Sequence, residues 1–163
     1  MSPSREVITR LYTAFAARDH EAMARCYTPD AHFSDPVFTD LHGPEVAAMW
    51  RMLCRRATDL RIAFRDVSAT EDEGTAHWEA WYTYSGTGRS VHNVIDAAFT
   101  FRGGLIVRHI DRFDLYAWAR QALGTRGLLL GWAPPVQAAI RRQAVKALTH
   151  ALRLDRNGIT RGP

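Results

Sequence analysis

"SVHNVIDAAFTFRGGLIVRHIDRFD", residues 90–114, holds two runs in which apolar and polar side chains alternate, joined at Arg102-Gly103-Gly104. Alternation with a period of two marks a strand with one buried face, and a two-glycine link marks an antiparallel hairpin. The same period runs upstream through "LRIAFRDVSA" (60–69) and "GTAHWEAWYTYS" (74–85), with the links "EDEG" and "GTGR". Four consecutive strands are therefore predicted, at 60–69, 74–85, 90–101 and 105–115.

Before residue 60 the period is helical. Val7, Ile8, Leu11, Tyr12, Phe15 and Ala16 form one stripe over a helix at 4–18, with Ser4 as its cap. Asp19 caps a second helix at 19–27, which "TPD" breaks. "AHFSD" then reads as a short strand, "TDLHG" as a polar link, and 44–57 as a helix with Val46, Met49, Trp50 and Leu53 on one face. Helices followed by antiparallel strands argue for an α+β fold: a curved antiparallel sheet wrapped around N-terminal helices, forming a cone with an apolar pocket at its open end. Residues 1–122 make up this domain. Residues 123–163 are a C-terminal extension packed on it: a Gly-punctuated apolar loop, "GLLLGWAPP", and an amphipathic basic helix at about 135–154.

The chain has 163 residues, 47% hydrophobic, enough for one domain with a sizeable core. Its net charge of +4 is unevenly spread: residues 1–133 carry 15 basic and 16 acidic side chains, residues 134–163 six basic and one acidic. Basicity confined to a tail does not imply a nucleic-acid groove. No run is apolar for the roughly 18 residues a membrane span requires, and the N-terminus lacks the pattern of a secretion signal, so a cytoplasmic location is expected. Cys26 and Cys54 lack CxxC spacing and read as buried free thiols. Neither a metal site nor a cofactor loop is expected: HExxH, a nucleotide-binding glycine loop and GxSxG are all missing.

"DAHFSDPVF" (30–38), the four strands after it and "GLIVRHIDRFD" (104–114) together resemble the nuclear transport factor 2-like superfamily, also called cystatin-like. This superfamily includes ketosteroid isomerases, SnoaL-like polyketide cyclases, limonene-epoxide hydrolases and non-catalytic adaptors. The resemblance covers residues 4 to about 122. It implies that Asp35 occupies the position of the isomerase base, that His109, Asp111 and Phe113 line the pocket from the last strand, and that Asp111 matches the catalytic carboxylate of hydrolases and cyclases. It also implies a homodimer formed through the open sheet face. The isomerase's Tyr donor falls at Leu11, with Tyr12 one residue away. Its second donor falls at Asp96 counting from Gly104, or at Ala97 aligning on Phe101.

These residue types suit proton transfer. A carboxylate among aromatic rings loses hydration, which raises its pKa toward the range useful for abstracting a carbon-bound proton. The candidate catalytic residues are Asp35, Asp111 and His109. Tyr12, Phe15, Phe33, Met49, Trp50, Trp78, Asp96 and Phe113 are candidate ligand contacts. The implied activity is cofactor-independent isomerisation or cyclisation of a hydrophobic carbonyl compound. Epoxide hydrolysis through Asp111 and an activated water is one alternative, in which the opposite strand parity would bring His77 and Glu79 inward. A non-catalytic small-ligand-binding or dimeric adaptor is the other. Each candidate also has a structural reading: Asp35 as a turn residue, Asp111 as an ion-pair partner of a nearby Arg, His109 as a satisfied core histidine.

Overall fold

The structure is a computed structural model that describes residues 2–159, so the last four residues of the extension lie outside the described residues. Helix α1 (Pro3–Ala16) starts at Ser2, whose side chain accepts the Arg5 N–H, and has Pro3 in its first turn. The cap is thus Ser2 and not Ser4, which is buried and donates its hydroxyl to the Glu71 carbonyl (3.0 Å). Helix α2 (His20–Ala24) is capped by Asp19 as predicted but is shorter, because the chain is already extended from Tyr27.

Strands β1 (Tyr27–Ser34) and β2 (Leu41–His42) bracket the Asp35 loop, and α3 (Pro44–Arg56) follows. The four predicted strands are β3 (Arg61–Ala69), β4 (Glu73–Tyr84), β5 (Arg89–Arg102) and β6 (Leu105–Arg112). Together they form a six-stranded sheet in the order β2-β1-β6-β5-β4-β3. All neighbours are antiparallel except β1 and β6, which run parallel. At the β5–β6 hairpin Gly103 and Gly104 both take positive φ (59° and 76°), the backbone that a tight primed turn requires.

Alternation fixes the faces. On β4 Ala76, Trp78 and Ala80 are buried, while His77, Glu79 and Trp81 lie on the outer face. On β5 Ile95, Ala97, Phe99 and Phe101 are buried. Strand β6 carries a bulge at Val107, since Thr100 pairs with Arg108 and Phe101 with Ile106. The extra residue reverses the parity of β6, so Ile106 is buried on one side of the bulge and His109 and Asp111 on the other. The main core lies between this concave face and α1 and α3.

Beyond β6 the chain is helical: α4 (Leu115–Leu123), α5 (Thr125–Leu130) and α6 (Pro134–Ile159). Asp114 caps α4 by accepting the Ala117 N–H (3.1 Å). The apolar loop predicted around "GLLLG" is the helix α5, which docks on α4 through its glycines. A Cβ on Gly127 would stand 1.9 Å from the Ala119 carbonyl oxygen, closer than any side chain tolerates. Gly127→Ala is therefore expected to push α5 off α4 and cost about 1–3 kcal/mol. Urea unfolding checks this, and an unchanged midpoint would show that α5 does not rest on that contact.

Helix α6 lies against α3 and reaches the loop that holds Asp35. Leu148 is buried, Arg51 of α3 pairs with Asp155, and Arg141 Nε donates to the Pro36 carbonyl (2.9 Å). Ile140 joins a second apolar cluster with Val37, Tyr82, Phe113 and Trp118. No helix among the described residues is long and apolar enough to cross a membrane.

Candidate functional site

The concave face holds a buried polar chain at its centre. His109, with no exposed surface, is enclosed by aromatic rings: Phe99 at 4.4 Å, Phe33 at 5.0 Å, and Trp50 and Tyr27 each at 6.1 Å between centroids. Its Nδ1 lies 2.7 Å from the Tyr27 hydroxyl and its Nε2 2.8 Å from Asp111 Oδ1. Trp50 Nε1–H donates to the Tyr27 oxygen (3.1 Å), and Trp78 Nε1–H donates to Asp111 Oδ1 (3.2 Å).

The donors assign the protons. The Asp111 carboxylate can only accept, so His109 Nε2 carries the hydrogen that reaches it, and the bare Nδ1 accepts the Tyr27 O–H. Burial, reinforced by the charge of Asp111, raises the Tyr27 pKa well above its ordinary value and keeps it a phenol. Every polar atom on His109 is thus satisfied, as a residue removed from water requires. Asp111, in contrast, uses only Oδ1 in these bonds, and no described residue bonds its Oδ2.

Tyr12 stands beside this chain. It is fully buried, its ring 5.5 Å from those of Trp78 and Phe64, and its hydroxyl has no hydrogen-bond partner among the described residues. Burial and the charge of Asp111 raise its pKa well above the usual phenol value. A buried donor without an acceptor carries a desolvation cost of about 1–3 kcal/mol, which a bound carbonyl oxygen would relieve.

Asp35 stands where β1 ends, half-buried. Its Oδ1 accepts the N–H groups of Val37 (2.7 Å) and Phe38 (2.6 Å), and its own N–H donates to the Phe38 carbonyl (2.8 Å). The turn reading of this residue is therefore correct as geometry, yet it does not exhaust the residue. Desolvation pushes the carboxyl up to about 7, against the pull of both backbone N–H groups, and the charge of Asp111 pushes the same way. Its Oδ2 is bonded by no described residue.

Among the other predicted residues, Phe15, Phe33, Met49, Trp50 and Trp78 are buried on the inner side, and Phe113 is partly buried between the two apolar clusters. Asp96 is a correction. Its side chain is 79% exposed on the outer face, where it bonds His77 Nδ1 (2.9 Å), and Ala97 occupies the inner face across from Asp111. His77 and Glu79 are also outside, so the parity that would have brought them inward is not the one adopted. Tyr27 was not anticipated as a site residue. Carrying the Phe33–Ala31 alternation back along β1 points to it, but extending the second helix to residue 27 hides it. Two open clefts, of about 480 and 460 Å³, lie on the outer sheet face around Trp81 and along α1–α2, and Asp35, His109 and Asp111 line neither.

A six-stranded curved sheet packed on helices, with a buried carboxylate–imidazole–phenol chain on its concave face, defines an NTF2-like fold. The SnoaL-like domain family model matches residues 8–109, and the chain belongs to that family. Among curated proteins, none matches the sequence significantly. Solved structures share the fold. An NTF2-like protein from Burkholderia pseudomallei is 22% identical with a TM-score of 0.67, over 75% of this chain and 98% of its own. A SnoaL-like polyketide cyclase, so named, from Jannaschia sp. is 16% identical with a TM-score of 0.65, over 75% and 92%. An LEH-like epoxide hydrolase from M. tuberculosis is 16% identical with a TM-score of 0.63, over 81% and 96%.

Proposed function

We propose that this protein is a cofactor-independent enzyme that moves a proton on a hydrophobic carbonyl compound, as an isomerase or an aldol-type cyclase. The observation that carries this reading is the Asp35 carboxyl, raised to about 7 by desolvation and facing the charge of a second, hydrogen-bonded carboxylate. Near neutral pH such a group is half ionised, the state in which it can both accept and return a proton.

In the proposed reaction the Asp35 carboxylate takes a proton from the carbon beside the carbonyl, and the C–H electron pair passes into the new C=C bond as charge collects on oxygen. Tyr12 donates its unpartnered hydroxyl to that oxygen. Protonated Asp35 then returns the proton at a conjugated carbon; in the cyclase case the enolate carbon instead adds to a second carbonyl carbon of the same substrate, the C=O π pair moves onto that oxygen, and the alkoxide takes the proton held by Asp35. Asp111, His109 and Tyr27 form the rigid polar floor that sets the field at Asp35. Val37, Tyr82, Phe113 and Ile140 pack together beside the Asp35 loop, and in this reading they part to admit the substrate. The protein acts as a homodimer joined through the outer sheet face, where Val94 is exposed at the centre.

Incubation of the enzyme with a β,γ-unsaturated cyclic ketone in deuterated water tests the reading. Deuterium should enter the product at carbon, and Tyr12→Phe should slow that exchange by about 10²-fold. Incorporation of labelled water oxygen into a cyclic epoxide, without exchange at carbon, would replace the isomerase reading with hydrolysis. No turnover on either class would leave a binding protein.

A further inference from the structure

Within the C-terminal extension, α5 and the turn after it point their apolar side chains outward. Among the described residues seven large hydrophobic side chains are exposed, and six of them follow α4: Leu128, Leu129, Leu130, Trp132, Val145 and Leu154. Four of these cluster in five positions, with Leu129 and Trp132 each 63% exposed. Their direction is imposed by packing. Gly127 and Gly131 supply the face of α5 that meets Ala119 of α4, which leaves the leucines no inward direction. Tyr116 fixes the element by donating to the Leu128 carbonyl (2.8 Å), and Trp132 Nε1–H donates to the Leu129 carbonyl (2.9 Å), so the apolar knob is held outward at a cost in solvation.

The extension that carries the knob is basic. Residues 115–159 carry seven basic side chains and one acidic, whereas residues 1–114 carry 13 and 16. The single acid, Asp155, is paired with Arg51. Arg126 is exposed on α5 itself, and Arg120 lies over the Tyr116 ring (5.0 Å) next to the Leu128 carbonyl. Exposed Arg142 and Lys146 extend the basic surface along α6. An apolar wedge rimmed by cations complements a surface with anionic head groups above an apolar layer. It does not complement itself, because a symmetric pairing of two such patches would bring their arginines together.

We infer that this knob is an interfacial anchor that docks the protein on an anionic phospholipid membrane, with Leu129 and Trp132 inserted below the head groups and Arg120 and Arg126 at their level. The segment lies on the membrane and does not cross it. The inference stands apart from the proposed reaction, since none of these residues belongs to the acid–base chain.

Vesicle sedimentation of the full chain tests it. The protein should pellet with phosphatidylcholine vesicles containing about 30% phosphatidylserine, should not pellet with phosphatidylcholine alone, and should be released by salt at about 0.5 M. Leu129→Ser and Trp132→Ser should each weaken partitioning about tenfold, and Arg126→Gln about fivefold. Asp35→Asn should bind vesicles like the native protein. Failure to pellet with the anionic vesicles, or pelleting that Leu129→Ser and Trp132→Ser leave unchanged, overturns the inference. So does a dimer in velocity sedimentation that Trp132→Ser converts to monomer, because that assigns the knob to a second copy of the chain.

Discussion

Asp35→Asn should abolish catalysis while making the protein more stable above neutral pH. Turnover should fall by about 10²–10⁴-fold, because the amide is too weak a base to take a proton from carbon. The gain in stability follows from linkage. In the folded protein the carboxyl titrates at about 7 rather than 3.8, so the native state binds this proton more tightly than the unfolded chain. Native stability therefore declines as pH rises from about 4 to about 7, and the full penalty persists above the folded pKa. Three pKa units would correspond to about 4 kcal/mol, and the access of water to a half-buried group reduces this to on the order of 2 kcal/mol. Asparagine retains an oxygen for the Val37 and Phe38 N–H groups, so the turn survives while the buried charge does not. Urea unfolding at pH 5 and pH 8 checks the prediction: the native protein should weaken between the two and the variant should not. Equal slopes with pH would mean that Asp35 titrates as an ordinary surface acid, and the proposed base would be lost.

The trade-off is informative because a turn residue selected for stability would not keep a charge that opposes folding. Two strong backbone bonds lower the carboxyl's pKa, and desolvation still dominates. The environment responsible is the one formed where β1 ends beneath α6, with the Pro36 carbonyl held by Arg141. Extension and site are thus physically joined, since the helix that carries the basic surface holds the carbonyl of the residue next to Asp35.

How much of this was legible in the sequence depended on the range of the interaction concerned. The strands of 60–115 were readable because each buries one face and period two is local. The Gly103-Gly104 hairpin was readable because two positive-φ residues in a row admit few others. That His109 and Asp111 share a face also followed from spacing alone. The position of Asp96 did not, because the choice between it and Ala97 rests on one residue of register, and a bulge such as that at Val107 shifts the register without a clear local signal. Helix α5 was hidden for a related reason. Two glycines among leucines read as a loop, and only the approach of Gly127 to the Ala119 carbonyl explains why they support a helix. Tyr27 was obscured by the end of α2, and its role exists only once Trp50 and His109 are brought to it. Local pattern identified the elements, and nonlocal packing decided which side chains meet.

The second large effect is expected at Asp111, where two substitutions separate structure from electrostatics. Asp111→Ala removes the acceptor of both His109 Nε2–H and Trp78 Nε1–H and leaves two donors buried without partners. The loss should be about 3–5 kcal/mol, the range for breaking a buried hydrogen-bonded charged network. Asp111→Asn keeps an oxygen for those donors and should cost less, on the order of 1 kcal/mol, as a neutral acceptor replaces a charged one. Both variants remove the negative charge that raises the Asp35 pKa, so in both the Asp35 carboxyl should titrate below its native value of about 7. Carbon-detected NMR of the Asp35 carboxyl in Asp111→Asn measures that midpoint, and the acid limb of the pH profile, where turnover rises as Asp35 ionises, should move down with it. A midpoint that stays at about 7 would mean that the two carboxylates do not sense each other. The inside of the cone would then hold two independent acids, and the pairing on which the proposed proton transfer depends would be absent.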